Sequence, residues 1–197
     1  MALDDAASLL TLLWSPLVVV TAAADGDRGA QVAVSAFAAS IVPERPRILV
    51  EIQKRNYTHG LIRMSGRFAV NLVPRERWWW VRHFGFRSQQ EVDKLADVAW
   101  TAGSHGLPLL DEALGTLVCR VVNAMDGGDM TVFLAEVEEA ERRRPDQPLH
   151  WHEVQQMLPA DWAAEYGRKL ARDVPDSAAR MGQIDYAPYR PPSEPTQ

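Results

Sequence analysis

Cysteine is nearly absent from this chain: Cys119 stands alone, which excludes an intrachain disulfide and a thiolate cage for a metal. Basic tracts are absent too, and 26 acidic side chains outnumber 21 basic ones, so nucleic acid is not the expected partner and any cationic site must be local. Long apolar runs are missing. The stretch from Leu9 to Trp14 ends at Pro16, and Leu3-Asp4-Asp5-Ala6 has no basic leader, which predicts neither a signal peptide nor a membrane span and, by default, a cytoplasmic location. No glycine-rich phosphate loop, internal repeat, acid–base dyad or nucleophile triad is present.

What is there is a globular composition, 47% apolar and 24% charged over 197 residues, enough for one domain with a substantial core. The chain is organised around residues 31–71. Residues 31–37 read as a strand, 39–46 as a bend, 48–52 as a strand, 53–57 as a polar loop, 58–65 as a short helix stopped by Gly66, and 68–71 as a strand. The loop Lys54-Arg55-Asn56-Tyr57-Thr58-His59 sets two cations and a hydroxyl at a helix start, where unpaired N–H groups and the helix dipole favour an anion. The same spacing equally suits an ordinary N-cap at Thr58 beside a solvated turn.

Before this stretch, residues 4–13 form a candidate amphipathic helix, 17–21 a buried strand, and Asp25-Gly26-Asp27 a turn. After it, Trp78-Trp79-Trp80 opens an amphipathic helix with an over-large apolar face, packed within the chain or at a subunit contact, which would equally explain it. Ser88-Gln89-Gln90-Glu91 has capping-box spacing and predicts a helix carrying Val92 and Leu95. Residues 101–111 read as turns, 114–122 and 130–137 as strands joined by Asp126-Gly127-Gly128-Asp129, and 138–143 as a charged stretch beyond the strand. Cys119 falls in the first of these strands as a buried thiol. His150-Trp151-His152 fits a rim strand better than a metal site with no third ligand. Residues 161–172 form a helix with Trp162, Tyr166 and Leu170 on one face, and from Pro188 onward the chain is too proline-rich to fold.

Read together, Ala33-Val34-Ser35-Ala36-Phe37, Ser40-Ile41-Val42-Pro43-Glu44-Arg45-Pro46, Arg55-Asn56-Tyr57-Thr58-His59 and Ser65-Gly66-Arg67-Phe68-Ala69-Val70-Asn71 resemble the flavin reductase-like, FMN-binding split-barrel family. Phe84-Gly85-Phe86-Arg87-Ser88, Val92-Asp93-Lys94-Leu95 and the run from Gly128 to Val137 continue the resemblance, which covers about Leu13 to His152. It implies a mainly β (α+β) fold: a split β-barrel with short peripheral helices over residues 1–155, a helical extension over 156–187 and a disordered Pro-rich tail over 188–197. It also implies a homodimer with FMN near the subunit interface, hydride transfer from NADH or NADPH, and a monooxygenase partner supplied with reduced flavin. By resemblance the phosphate lies over Lys54, Arg55, Thr58 and the helix start, and the isoalloxazine along Val34, Ser35, Ala36, Phe37 and Ser40, mostly on backbone groups. His59, Asn71, Arg87 and Ser88 complete the cofactor-binding set; no catalytic side chain or metal ligand is implied.

Two departures stand out. Many members have Ser-Ser-Phe where this chain has Ser35-Ala36-Phe37, and flavin-reducing members commonly have Gly-Asp-His where it has Gly128-Asp129-Met130. Methionine cannot donate a hydrogen bond to a nicotinamide, which keeps open a flavin-binding protein without nicotinamide turnover, a carrier, sensor or enzyme with another reductant.

Overall fold

Apolar residues run through 48–50 and return at 52, and they run unbroken through 17–20; both stretches become strands: β4 (Arg47–Gln53), buried at every second residue, and β1 (Val18–Ala24), buried over its first five residues. The computed structural model describes residues 4–192. A short helix α1 (Asp4–Thr11) precedes β1. The main sheet is seven-stranded and antiparallel, in the order β2-β1-β5-β8-β9-β4-β3, with β2 (Asp27–Ala33), β3 (Ala36–Ala38), β5 (Arg67–Leu72), β8 (Gly115–Asp126) and β9 (Met130–Arg142). β2 and β3 lie at opposite edges, yet only Val34 and Ser35 separate them in the chain. The three Cα steps from Ala33 to Ala36 reach about 11 Å at most, whereas seven strands laid flat would cover about 29 Å. The sheet therefore curls until its edges approach each other, which is the split barrel expected from the sequence.

Helix α2 (Tyr57–Ser65) ends at Gly66 in the left-handed region, φ 66°, and puts Leu61 and Ile62 into the barrel interior with Val20, Ile52, Phe68 and Phe133. A second core lies outside the barrel, where Leu17, Val19 and Leu149 meet α3 (Trp80–Gly85), α4 (Trp151–Met157) and α5 (Ala160–Arg180).

Several local expectations change. Ser88 and Glu91 make capping contacts, Gln90 N–H to Ser88 Oγ at 3.2 Å and Ser88 N–H to Glu91 at 3.4 Å, but no helix follows. Lys94, only 4% exposed, instead donates to the carbonyls of Ala30 and Phe84 at 3.1 and 2.8 Å, and Asp93 takes the N–H of Leu95. Side-chain bonds to the backbone outcompete the helix there. Residues 101–111 contain a small hairpin, β6 (Trp100–Ala102) with β7 (Pro108–Leu110). His150-Trp151-His152 opens α4 rather than a rim strand: Glu153 accepts the N–H of His150 at 2.9 Å, and Trp151 and Val154 are buried one turn apart. The charged stretch stays in β9, paired with residues 115–118 of β8, and Glu138 meets Arg67 and Arg120.

The C-terminal third also differs. α5 continues through Pro175 to Arg180. Of the tryptophans expected at a subunit contact, Trp80 is 1% exposed, while Trp78 and Trp79 are half-buried and Trp78 packs on Trp162 of α5 with centroids 5.1 Å apart. The segment after Arg180 has no helix or strand, yet it is ordered against the barrel. Tyr189 packs on the inner core beneath Arg63, and a Cβ on Gly66 would lie 3.1 Å from Pro192. The disordered tail expected from residue 188 is thus in place through 192; residues 193–197 lie outside the described residues.

Candidate functional site

β4 delivers Lys54 to the end of the barrel where β8 turns into β9. Gln53 pairs with Met130, and the N–H of Lys54 donates to the carbonyl of Asp129 at 2.9 Å, so the loop before α2 and the Gly127-Gly128 turn are held side by side. The N-cap of α2 is Asn56 rather than Thr58, in extended conformation at φ −76° and ψ 136°, and its side chain makes no capping bond. Nor does the first turn hold an acidic residue. The N–H of His59 donates to the carbonyl of Asn56 at 2.9 Å, whereas those of Tyr57 and Thr58 receive no side-chain cap, and with two cations beside them they make this helix start a candidate anion seat. Gly29 of β2 permits the close approach: a Cβ there would be 3.2 Å from the Tyr57 ring and 3.3 Å from Thr58 Oγ1. Thr58 is therefore buried at the floor of the seat.

Both cations already have carboxylate partners. Lys54 Nζ donates to both oxygens of Asp126 at 2.6 Å. Burial pushes the Asp126 carboxyl up, but Lys54 and the N–H groups of Gly128 and Asp185 outweigh this and hold it below the ordinary value. Arg55 Nη1 lies 2.5 Å from Asp173 Oδ1 on α5, and Lys169 takes the other carboxylate oxygen. His59 Nε2 lies 2.9 Å from Thr131 Oγ1. Burial, then repulsion from Arg63 and Lys54 against the pull of Asp126, lowers its pKa to about 4, so the imidazole is neutral at pH 7. The sequence singled out Lys54, Arg55, Thr58 and His59. It missed Asp126 and Asp173, which reach the seat from distant elements and carry no local signal.

The expected ring-binding strand lies along β4, with Ala36 opposite Val50 and Phe37 opposite Leu49. Its backbone is largely committed elsewhere. Ser15 donates to the carbonyl of Val34 through Oγ at 2.8 Å and through its N–H at 2.9 Å, and Ser15 Oγ accepts the N–H of Ala36 at 3.0 Å. The carbonyl of Ser35 accepts from Glu51 at 3.0 Å, and Ser40 Oγ accepts the N–H of Val42. A flat ring on the outer face would thus meet the 43% exposed side chain of Phe37 rather than the backbone groups of Val34 and Ala36, while Ala36 packs toward the barrel interior. Ser15 is a second residue that the sequence did not reveal.

Three expected contacts lie elsewhere. Asn71 is fully buried, its amide donating to Val19 O at 3.1 Å and Thr21 Oγ1 at 3.3 Å and accepting from Leu110 at 2.8 Å, so it ties β7 to the barrel and has nothing left for a ligand. Arg87 lines a separate cleft of about 500 Å³ with Phe86, Glu165, Arg168 and Arg172, between the loop after α3 and α5. The Ser88 hydroxyl is spent on the local turn beside it.

Cys119 has no exposed surface, and burial, followed by Glu138, pushes its thiol up to about 12, which leaves it inert as a nucleophile. Among the described residues no three His, Cys, Asp or Glu side chains form a metal-binding group.

The C-terminal segment crosses the seat. Gly128, at φ 91°, lies so close to it that a Cβ would sit 2.7 Å from the Met181 carbonyl.

Residues 10–157 match the family model of the flavin reductase like domain. The chain is 36% identical over 128 residues to the reductase component of the 4-nitrophenol 4-monooxygenase/4-nitrocatechol 2-monooxygenase of Rhodococcus opacus, covering 64% of this chain and 65% of that one. It is 32% identical over 156 residues to the high molecular weight rubredoxin of Moorella thermoacetica, covering 76% and 66%. It thus spans about two thirds of the length of these two relatives. Among solved structures, the NADH:FAD oxidoreductase SgcE6 of Streptomyces globisporus C-1027 superposes with a TM-score of 0.65 at 26% identity, over 75% of this chain and 89% of that one. α5 and the strap after it lie outside the matched residues, whereas the barrel, α2 and the seat lie inside them, and on this ground the chain belongs to the flavin reductase-like domain family.

Proposed function

We propose that this protein is a flavin reductase component, which moves a hydride from NADH or NADPH to FMN and passes reduced flavin to a monooxygenase. The observation that carries it is the uncapped N-terminus of α2 with Lys54 and Arg55 beside it, inside the family domain. The residues present fit a flavin phosphate: Lys54, Arg55 and the N–H groups of Tyr57 and Thr58 would hold the anion, and the exposed Phe37 offers a surface to the ring. When bound, the flavin supplies the hydride acceptor, and the protein supplies orientation and electrostatics. Neutral His59 anchors Thr131, and Met130, which opens β9, offers the nicotinamide no donor.

Relatives named as reductase components of monooxygenases support the partner, and the name NADH-dependent FAD reductase, carried by a protein of Streptomyces globisporus 32% identical to this chain, supports the reaction class. A homodimer fits the apolar side chains that remain uncovered: Phe37, Ile41 and Val42, 43%, 100% and 47% exposed, follow one another along edge strand β3 and the bend after it. Among the described residues no helix is long and apolar enough to cross a membrane; a cytoplasmic setting, where reduced nicotinamide is supplied, suits the reaction.

The test is anaerobic mixing of the FMN-loaded protein with NADH or NADPH, reading loss of flavin absorbance. Bleaching is expected, slowly in the wild type and about two- to tenfold faster in Met130→His, the worth of one neutral hydrogen bond. No bleaching by either donor in either protein, with FMN still bound, favours the second reading, a flavin-binding protein without nicotinamide turnover, for which Met130 is the motive.

A further inference from the structure

α5 begins after the matched domain ends, and on it Asp173, 5% exposed, presents a two-oxygen anion to the guanidinium of Arg55 at 2.5 Å. A carboxylate and a phosphate edge match the same guanidinium fork, so they are alternatives for it. The surroundings keep Asp173 there. Lys169 pairs with it one turn back, Tyr166 anchors the helix by stacking on Phe86 with centroids 5.4 Å apart, and beyond Arg180 the chain rests on Gly128, Asp126 and Gly66 in turn. The turn that carries Asp173 is also one hydrogen bond short, because Pro175 has no N–H to give the carbonyl of Ala171.

We propose that Asp173 competes with the flavin phosphate for Arg55, so that α5 sets how strongly the seat prefers phosphorylated over unphosphorylated flavin, resting on the assignment of the α2 N-terminus as the phosphate seat. FMN binding displaces Asp173 or binds against its charge; in either case part of the phosphate's attraction is lost, and flavin is held as an exchangeable substrate rather than a fixed group. Riboflavin, which makes no claim on Arg55, is indifferent to Asp173.

Dissociation constants for FMN and riboflavin, from flavin fluorescence titrations of the wild type, Asp173→Asn, Arg55→Ala and the double variant, test this. Asp173→Asn should tighten FMN about tenfold, the worth of one charge-assisted hydrogen bond, with riboflavin unchanged. Arg55→Ala should weaken FMN about twofold in the wild type but about tenfold in the Asp173→Asn background. An unchanged or smaller FMN-to-riboflavin preference in Asp173→Asn overturns the competition. The seat itself is tested separately by Lys54→Ala. If the wild type does not distinguish FMN from riboflavin and Lys54→Ala changes neither, the seat and the competition fall together. If Lys54→Ala erodes the preference while Asp173→Asn leaves it alone, only the competition falls.

Hydrogen exchange on the wild-type protein gives an answer should Asp173→Asn not fold. FMN should slow exchange in the first turn of α2 and speed it over residues 173–181, and riboflavin should do neither. Protection of 173–181 by FMN would make α5 a wall of the site and sink the proposal.

Discussion

Lys54 and Arg55 are neighbours in sequence and both end on carboxylates, but the two pairs are built differently. Asp126 belongs to the β8–β9 hairpin of the family domain and, besides Lys54, accepts the N–H groups of Gly128 and Asp185, so its removal would loosen a turn, a cation and the strap together. Asp173 comes from the added helix and accepts from side chains only, Arg55 and Lys169, which are 32% and 22% exposed and can return to water. The first pair is part of the frame that makes the seat; the second is laid over it. A cation's role therefore cannot be read from its having a partner, only from what else that partner holds.

Asp126→Ala should show the largest effect, a loss of about 3 kcal/mol in urea denaturation, because the N–H groups of Gly128 and Asp185 and an ammonium lose their acceptor at once. Next comes the acid limb. His59 titrates at about 4 in the fold against 6.5 when free, so as pH falls through this window the unfolded chain takes up the proton first and stability declines. Between pH 6.5 and 4.5 the loss should be about 2 kcal/mol, absent in His59→Gln and unchanged in Asp173→Asn. Asp126→Ala should steepen it, since the carboxylate that pulls the His59 pKa upward is gone. The smallest effect is Asp173→Asn on stability, about 1 kcal/mol or less for a pair whose cations are partly solvated. A cost for Asp173→Asn equal to that for Asp126→Ala would erase the distinction between frame and overlay.

Much of the frame was legible in the sequence because it is local. The apolar strands at 48–52 and 17–21, the αL glycine after Ser65 and the Gly127-Gly128 hairpin all follow from apolar pattern and turn chemistry and reappear in the fold. The cations of the seat were legible for the same reason. Their counter-ions were not, nor was Ser15 at the back of Val34, because nothing in a local pattern says which distant group will claim an N–H or an ammonium. Ser88 shows the converse: its capping contacts form as the pattern asks, yet Lys94 draws the chain inward to the carbonyls of Ala30 and Phe84 and no helix grows. Trp78 to Trp80 asked for cover, and within the chain α5 supplies part of it through Trp162, a contact that no local pattern announces.

The joint at Val34 and Ser35 carries a consequence for how this chain can vary in length. Those two residues carry it from one edge of the sheet to the other, and Ser15 pins the carbonyl of Val34 within the joint and the N–H of Ala36 just after it, so there is no slack to take up. A substitution there changes one side chain. An added residue would turn β3 over, driving Phe37 toward the barrel interior and Ala36 outward, unless the extra length were expelled as a bulge that broke the Ser15 contacts. The site can therefore be redecorated along this strand, but not lengthened.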